Sequence, residues 1–141
     1  MSPTFNTPQY APVVLRFGIA ALFLRFGLSQ ISNPSAWVSW IPELALSISW
    51  LSPMATVILN GLFETILGAL LAVGFYTRLV ALLLSLHLFF IAREVGYNDI
   101  GVRDFALAVS TLAVSLFGPD RFTIDEKMEG NAFTRNSLGQ E

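Results

Sequence analysis

Cysteine is absent from this chain of 141 residues, and histidine occurs only once, as His87. Without a thiolate, the chain offers no disulfide relay, no thiolate metal site and no iron–sulfur cluster. One histidine cannot supply both axial ligands of a haem, and it cannot form a metal site built on several imidazoles. We therefore expect no metal site and no intrinsic redox cofactor in this chain.

Charged residues are also scarce. They make up 13% of the chain, against 54% hydrophobic residues, whereas a soluble domain usually has about 25% charged residues. This deficit indicates that most of the surface faces lipid, so the bilayer is the expected environment. The length is that of one domain. A net charge of −2 argues against a nucleic-acid partner.

Four apolar segments of helical length predict an all-α, polytopic membrane protein with an antiparallel four-helix transmembrane bundle. The predicted helices cover about residues 12–29, 53–73, 77–94 and 100–117. Pro12 and Pro53 suit the first turn of a helix, and Ser52 is a good N-cap. We expect the membrane domain to cover residues 1–125, followed by a polar cytoplasmic tail over residues 126–141.

The connection between the first two helices contains an interfacial segment, about residues 36–51, which has no lysine or arginine. Tryptophan concentrates at the membrane–water interface, and Leu44, Ile48 and Leu51 recur at helical spacing. The pattern predicts a short helix in the interface, acting either as an aromatic anchor or as a lid over the bundle. The segment holds every tryptophan of the chain: Trp37, Trp40 and Trp50.

The first predicted helix carries two arginines on opposite faces. Arg16 lies near the start of the helix, where its side chain can snorkel to the headgroups. Arg25 lies further in, on a face with Gly18, Ala21 and Ser29 that suits packing against other helices. A membrane-embedded arginine costs about 2.5–3.5 kcal/mol on insertion scales, so Arg25 should have a partner.

The short turn at residues 74–78 joins the second and third predicted helices. Glu64 and His87 are equally far from the middle of this turn, so antiparallel helices place both side chains at one depth. That depth is roughly 15 Å from the turn, near the bilayer centre. An ionisable group there indicates a functional site, and the alternative is a polar contact that only holds the bundle together.

Further polar side chains are expected in the same half of the bundle. The candidate ligand or proton-relay residues are Glu64, His87, Arg25, Asn60, Arg93, Glu94, Arg103 and Asp104. A low-dielectric interior can hold such a near-neutral cluster if each charge is paired. We expect a cavity open to the outer face, although a network that only fixes the order of the helices remains an alternative. No catalytic residue is identified.

The distribution of basic residues predicts the orientation. Four of them lie on the side of the termini: Arg78, Arg121, Lys127 and Arg135. The loop between the first two helices has none, so the positive-inside rule predicts that both termini are cytoplasmic. Arg93 and Arg103 border the opposite loop and reduce this bias.

Three motifs resemble those of the DoxX family of small four-helix membrane proteins, and the resemblance spans about residues 12–125. The most specific motif is FGPDRFTID at residues 117–125, similar to the segment that follows the family's fourth helix. Residues 61–64, GLFE, with Gly68 resemble its acidic motif, and residues 74–78, GFYTR, resemble its turn. The chain departs from the pattern at Gln30, where lysine is frequent, and at Asp104, where glutamate is common.

The resemblance implies a prokaryotic inner-membrane protein. Family members are described as subunits of quinol oxidase or of thiosulfate:quinone oxidoreductase, and some as partners of redox-defence enzymes. It implies an accessory subunit that binds quinone or a similar amphiphile beside a partner carrying the redox cofactor, or within a homo-oligomer. Whether this chain takes part in catalysis stays open. The alternatives are a non-catalytic scaffold or assembly subunit, and a small transporter or carrier.

Overall fold

A computed structural model describes residues 7–48 and 50–130, and every regular element in these ranges is helical. The long helices are α1 (Ala11–Ser32), α3 (Pro53–Val73), α4 (Thr77–Val95) and α5 (Asp99–Phe117), and a short helix α2 covers Glu43–Ile48. Short 3-10 helices cover Thr7–Gln9 and Pro34–Trp40, and residues 124–130 are also helical. The predicted all-α class is confirmed.

Three of the long helices, α1, α3 and α5, are long and apolar enough to cross a membrane. The remaining long helix, α4, has 19 residues, but it carries Arg78 near its start and Arg93 and Glu94 near its end. The charged residues of α4 thus lie at both of its ends, whereas those of α5 all lie near its start, at Asp99, Arg103 and Asp104.

The hairpin of α3 and α4 is shaped by local signals at its ends. Ser52 accepts a hydrogen bond from the N–H of Ala55 at the start of α3. Pro53, the first residue of the helix, has no N–H that would need an acceptor. Gly74 ends α3 with a φ of 70°, a left-handed conformation that favours glycine. The next helix begins only three residues later, at Thr77, so α3 and α4 run antiparallel.

The long helices pack as two closely associated pairs, α1 with α3 and α4 with α5, while α1 also contacts α5 and α3 contacts α4. Glycine permits the close approach of α1 and α3, since a Cβ on Gly61 would lie 2.8 Å from the carbonyl oxygen of Gly27. Phe23, Leu71 and Leu84 belong to the buried core between the helices.

The connection between α1 and α3 forms two short helices, the 3-10 helix Pro34–Trp40 and α2, where the sequence predicts one. Ser49 and the side chain of Ile48 lie outside the described part. Of the predicted tail, residues 126–130 are exposed, and residues 131–141, including Arg135, lie outside the described ranges.

Candidate functional site

A cavity of about 690 Å³ lies between the four long helices and the connection that follows α1. The lining residues of the long helices come from the second half of α1 and α4, from the first half of α5 and from residues 56–64 of α3. Except for Glu64, at the middle of α3, they lie in the half of the helices away from residues 74–78. Its walls are apolar, with Phe23, Phe26, Leu88 and Ile91 among them. A volume of this size, with few polar groups, is typical of a small-molecule site.

The carboxylate of Glu64 lies at the cavity wall and is only 4% exposed. Its Oε1 lies 3.1 Å from Nε2 of His87 and accepts a hydrogen bond of 3.0 Å from Nδ2 of Asn60. Its Oε2 accepts a hydrogen bond of 3.0 Å from Nε2 of Gln30. Side chains from α1, α3 and α4 therefore meet on one buried carboxylate.

The direction of these hydrogen bonds assigns a role to each group. Oε1 of Gln30 accepts from Asn60 at 2.8 Å, which leaves the NH₂ group of Gln30 to face Glu64. Both amides thus donate to the carboxylate, and an ionised Glu64 also accepts a hydrogen bond from Nε2–H of His87. Within the described residues Nδ1 of His87 makes no hydrogen bond, and the side chain, 17% exposed, lines the cavity. His87 therefore has hydrogen-bonding capacity left for a ligand.

Arg103 and Asp104, near the start of α5, form an ion pair at another part of the cavity wall. Nη2 of Arg103 lies 2.8 Å from Oδ1 of Asp104, and their side chains are 56% and 10% exposed. Because Arg103 is exposed while Asp104 is buried, the pair lies where the cavity meets the protein surface. The charge of Asp104 is compensated there without help from a ligand.

Two tryptophans form part of the cavity wall, and a third does not. Nε1 of Trp37 donates to Oγ of Ser29 at 3.2 Å, and its ring meets that of Phe26 edge-on at 5.7 Å. Trp40 also lines the cavity. Trp50, in contrast, is 92% exposed and does not contribute to the wall. The lid interpretation fits the 3-10 helix, and the anchor interpretation fits Trp50.

The structure brings five of the eight sequence-predicted site residues to the cavity: Asn60, Glu64, His87, Arg103 and Asp104. Arg25, Arg93 and Glu94 do not line it. Arg25 is exposed, and no carboxylate within the described ranges pairs with it. The expectation that Arg25 has a partner inside the bundle is therefore wrong. Phe23 and Gly27 lie on the face of α1 that points into the bundle. Arg25 lies on the other side of the helix and therefore points outward. Arg93 is exposed and Glu94 half-buried, and neither forms an ion pair within the described ranges.

Gln30 belongs to the site, although the sequence indicated it only as a departure from the family pattern. Its side chain is 6% exposed and joins Asn60 to Glu64. The helical spacing puts Gln30 on one face with Phe23 and Gly27, at intervals of four and three residues, but the sequence alone does not show that this face of α1 points inward.

A second buried polar cluster lies at the opposite end of the helices. Arg16 is 1% exposed, and its Nε lies 2.6 Å from Oδ2 of Asp120. Its Nη1 donates to the carbonyl oxygens of Leu71, at 2.9 Å, and Ala72, in the last turn of α3. The expectation that Arg16 snorkels to the headgroups is wrong, because its guanidinium pairs instead with a carboxylate and with free carbonyls at the end of a helix.

Asp125 caps the start of α4. Its Oδ1 accepts from the N–H of Tyr76 at 2.9 Å, and its Oδ2 accepts from the N–H and hydroxyl of Thr77 at 2.7 and 2.8 Å. Burial alone would raise the pKa of Asp125, but the hydrogen bonds from Thr77 and Tyr76 outweigh it and lower the pKa below its ordinary value. Arg78 in turn donates to the carbonyl of Leu116 at the end of α5. Residues 74–78 and 117–125 thus hold each other in place.

The DoxX family model matches residues 11–95. This chain belongs to the DoxX family. The match covers α1, α3 and α4, and with them Gln30, Asn60, Glu64 and His87. It ends before α5, so Asp104 and the FGPDRFTID segment lie outside it. Comparisons with curated proteins and with solved structures gave no match.

Membership of the family confirms the resemblance seen in the sequence and makes this chain a membrane protein. In this DoxX protein, the buried carboxylate of the family-matched region, Glu64, faces a cavity. The turn at residues 74–78, also inside the matched region, is held by a segment outside it.

Proposed function

We propose that this DoxX protein is an accessory membrane subunit that binds quinone, or an amphiphile of similar chemistry, in its cavity. All four long helices cross a prokaryotic inner membrane as an antiparallel bundle, with both termini on the cytoplasmic side. The cavity then lies in the outer half of the bundle, and a separate protein carries the redox cofactor.

The observation that supports this proposal is an apolar cavity whose polar groups, at Glu64 and His87, still have an unused hydrogen-bonding atom. Glu64 is held by Gln30, Asn60 and His87, while Nδ1 of His87 has no partner within the described residues. Apolar walls with a few directed polar groups suit the ring and tail of an amphiphile. A bundle that served only as a scaffold has no need of about 690 Å³ of open space at its polar centre.

The chemistry of His87 suits both forms of a quinone. When its imidazole is neutral, with the proton on Nε2 shared with Glu64, Nδ1 accepts a hydrogen bond from a quinol hydroxyl. When the imidazole is protonated, Nδ1–H donates to a quinone carbonyl, and Glu64 balances the charge. Oxidation of a quinol releases two protons and two electrons. Nδ1 of His87 accepts the first proton, and once that proton has passed to the outside water and the imidazole is neutral again, Nδ1 accepts the second, while both electrons pass to the cofactor of the partner protein.

The proposed orientation rests on charge. Arg78 and Arg121 lie at the end of the helices opposite the cavity, and Lys127 follows on the same side. The connection between α1 and α3 contains no lysine or arginine. By the positive-inside rule the cavity end faces outward.

A non-catalytic scaffold is the second candidate, and the cluster of Arg16 with Asp120 favours it. This cluster and the Asp125 cap use several polar groups of the chain to fix the ends of the helices. These groups lie away from the cavity, so a scaffold role accounts for them but not for the group at Glu64.

The test is the amount of quinone bound to the full-length chain, extracted from the inner membrane in lipid nanodiscs and measured by mass spectrometry. We expect quinone with the wild type and about tenfold less with His87→Leu, because the ligand loses its hydrogen-bond partner. The matched control is Leu86→Ala, since Leu86 is exposed on the same helix, and it should retain quinone. Absence of quinone from the wild type, or equal amounts in His87→Leu, would contradict the proposal.

A further inference from the structure

The hydrogen bonds around Glu64 leave more acceptors than donors for a ligand. Nδ2 of Asn60 donates to Oε1 of Gln30 and to Oε1 of Glu64, which uses both of its hydrogens and leaves its Oδ1 without a partner within the described residues. Nδ1 of a neutral His87 is a second unused acceptor, whereas Gln30 keeps one N–H as an unused donor. A ligand that donates hydrogen bonds therefore suits this wall better than one that only accepts them.

Asp104 supplies a further unused acceptor, on the side of the cavity formed by α5. Nε of Arg103 donates to its Oδ1 at 2.9 Å, and Nη2 lies 2.8 Å from the same atom. Oδ2 accepts no hydrogen bond from any described residue, although the side chain of Asp104 is only 10% exposed and lines the cavity. A buried carboxylate oxygen without a donor is costly, so a donor on a ligand stabilises it.

His87 and Asp104 lie at neighbouring depths on two helices that pack together. Oγ of Ser85 on α4 donates to the carbonyl oxygen of Ala108 on α5 at 2.9 Å, which defines the register of the pair. Counted from this contact, His87 is two residues and Asp104 four residues nearer the loop between α4 and α5. The difference is about 3 Å along the helix axes. A flat ring in the cavity with a polar group at each end thus has an acceptor for each group.

We propose that the cavity selects the reduced form of its ligand, a benzenediol (quinol), and that Asp104 determines this selectivity. One hydroxyl of the quinol donates to Nδ1 of His87, and the other donates to Oδ2 of Asp104. A quinone carries a carbonyl oxygen in place of each hydroxyl, and a carbonyl oxygen cannot donate to a carboxylate. The inference rests on the proposed function and adds that the chain takes up quinol and releases quinone.

Arg103 is the competing group at this wall, because a guanidinium donates to the carbonyl of a quinone or to the phosphate of a lipid. Its side chain is 56% exposed, and Nε and Nη2 already face Oδ1 of Asp104. Oδ2, in contrast, is on a buried side chain and unused. The carboxylates of Glu64 and Asp104 also outnumber the one arginine among the lining residues, which disfavours an anionic headgroup in the cavity.

The test compares a short-tailed benzoquinol with its oxidised form, each titrated against the full-length chain in lipid nanodiscs at a redox potential that holds it in one form. We expect the wild type to bind the quinol about tenfold more tightly, because a hydrogen bond to a charged group separates the two forms. Asp104→Asn should remove this preference, since the amide can donate to a carbonyl. Asp104→Glu keeps the carboxylate and should retain the preference.

Asp99→Asn is the matched control, because it makes the same change of charge in the first turn of α5, outside the cavity, and it should bind both forms as the wild type does. Redox titration of the bound ligand is a second readout. A tenfold preference for the quinol raises the two-electron potential of the bound couple by about 30 mV relative to the free couple. Asp104→Asn should return the potential to the free value.

Three results would overturn the selectivity: equal binding of both forms by the wild type, tighter binding of the quinone, or a preference that Asp104→Asn leaves unchanged. In each of them the ligand still binds, so the proposed function survives. Failure of both forms to bind the wild type would overturn the proposed function and this inference with it. The wild-type ratio decides even if thermal melts show that Asp104→Asn does not fold.

Discussion

Nε2 of His87 lies 3.1 Å from Oε1 of Glu64, across the contact between α4 and α3. The same carboxylate accepts hydrogen bonds from Gln30 on α1 and from Asn60 on α3. A single buried group therefore ties together three helices and one side of the cavity. The effect of a substitution at Glu64 on stability should therefore depend on whether the new side chain can accept hydrogen bonds.

Glu64→Leu should destabilise the protein more than Glu64→Gln. Leucine leaves the NH₂ group of Gln30 and one of the two N–H groups of Asn60 without an acceptor, and each buried unpaired donor costs about 1–3 kcal/mol. Glutamine keeps one acceptor oxygen and nearly the same volume. Thermal melts of both variants in detergent measure the difference. Equal melting temperatures would mean that water or headgroups already satisfy these donors.

The two arginines of α1 should behave in opposite ways. Arg16→Leu leaves Asp120 buried without its partner, a change that costs about 3–5 kcal/mol. Arg25→Leu removes an exposed side chain with no ion pair in the described ranges and should leave the melting temperature of the isolated chain unchanged. Both variants make the same substitution in the same helix, so each controls for the other. A larger drop in melting temperature for Arg25→Leu than for Arg16→Leu would mean that the inward and outward faces of α1 are assigned the wrong way round.

The sequence predicted the meeting of Glu64 and His87 because a short turn fixes the register of the helices on either side. Counting residues from residues 74–78 was then enough to place both side chains at one depth. Nothing comparable fixes which face of α1 points inward, because apolar residues occur on all faces of that helix. The sequence therefore placed Arg25 in the bundle and Arg16 at the headgroups.

The partners of Arg16 could not be predicted from local pattern either. Asp120 is separated from it by 104 positions in the chain, and only the packing of α1 beside α5 brings the two together. The FGPDRFTID segment was recognisable as a family-like motif, but its pattern did not reveal that Asp120 pairs with α1 and Asp125 caps α4.

Both termini should face the cytoplasm, and the segment from Trp37 to Trp50 should face outward. The basic residues at the end of the helices opposite the cavity are the physical reason. Reporter fusions at Met1, at Glu141 and within the Trp37–Trp50 segment give the sidedness of each point. Termini on opposite sides would exclude four crossings, and termini both outside would invert the proposed orientation of the cavity.

The cap formed by Asp125 should make stability depend on pH in the acid range. Its pKa in the folded protein lies below the ordinary value of 3.8, so the folded state binds the proton less readily than the unfolded chain. The stabilisation is therefore complete above pH 3.8 and is lost as the pH falls through the folded pKa. Asp125→Ala should lower the free energy of unfolding by about 1 kcal/mol at pH 7, as expected for a lost helix cap.

This difference between wild type and Asp125→Ala should shrink as the pH is lowered below 3.8, as followed by denaturant unfolding at a series of pH values. Asp125→Asn is the control, because asparagine keeps an acceptor oxygen for the N–H groups of Tyr76 and Thr77 but does not titrate. Its advantage over Asp125→Ala should stay constant with pH. A constant difference between wild type and Asp125→Ala down to pH values well below 3.8 would show that the carboxylate charge contributes nothing to the cap.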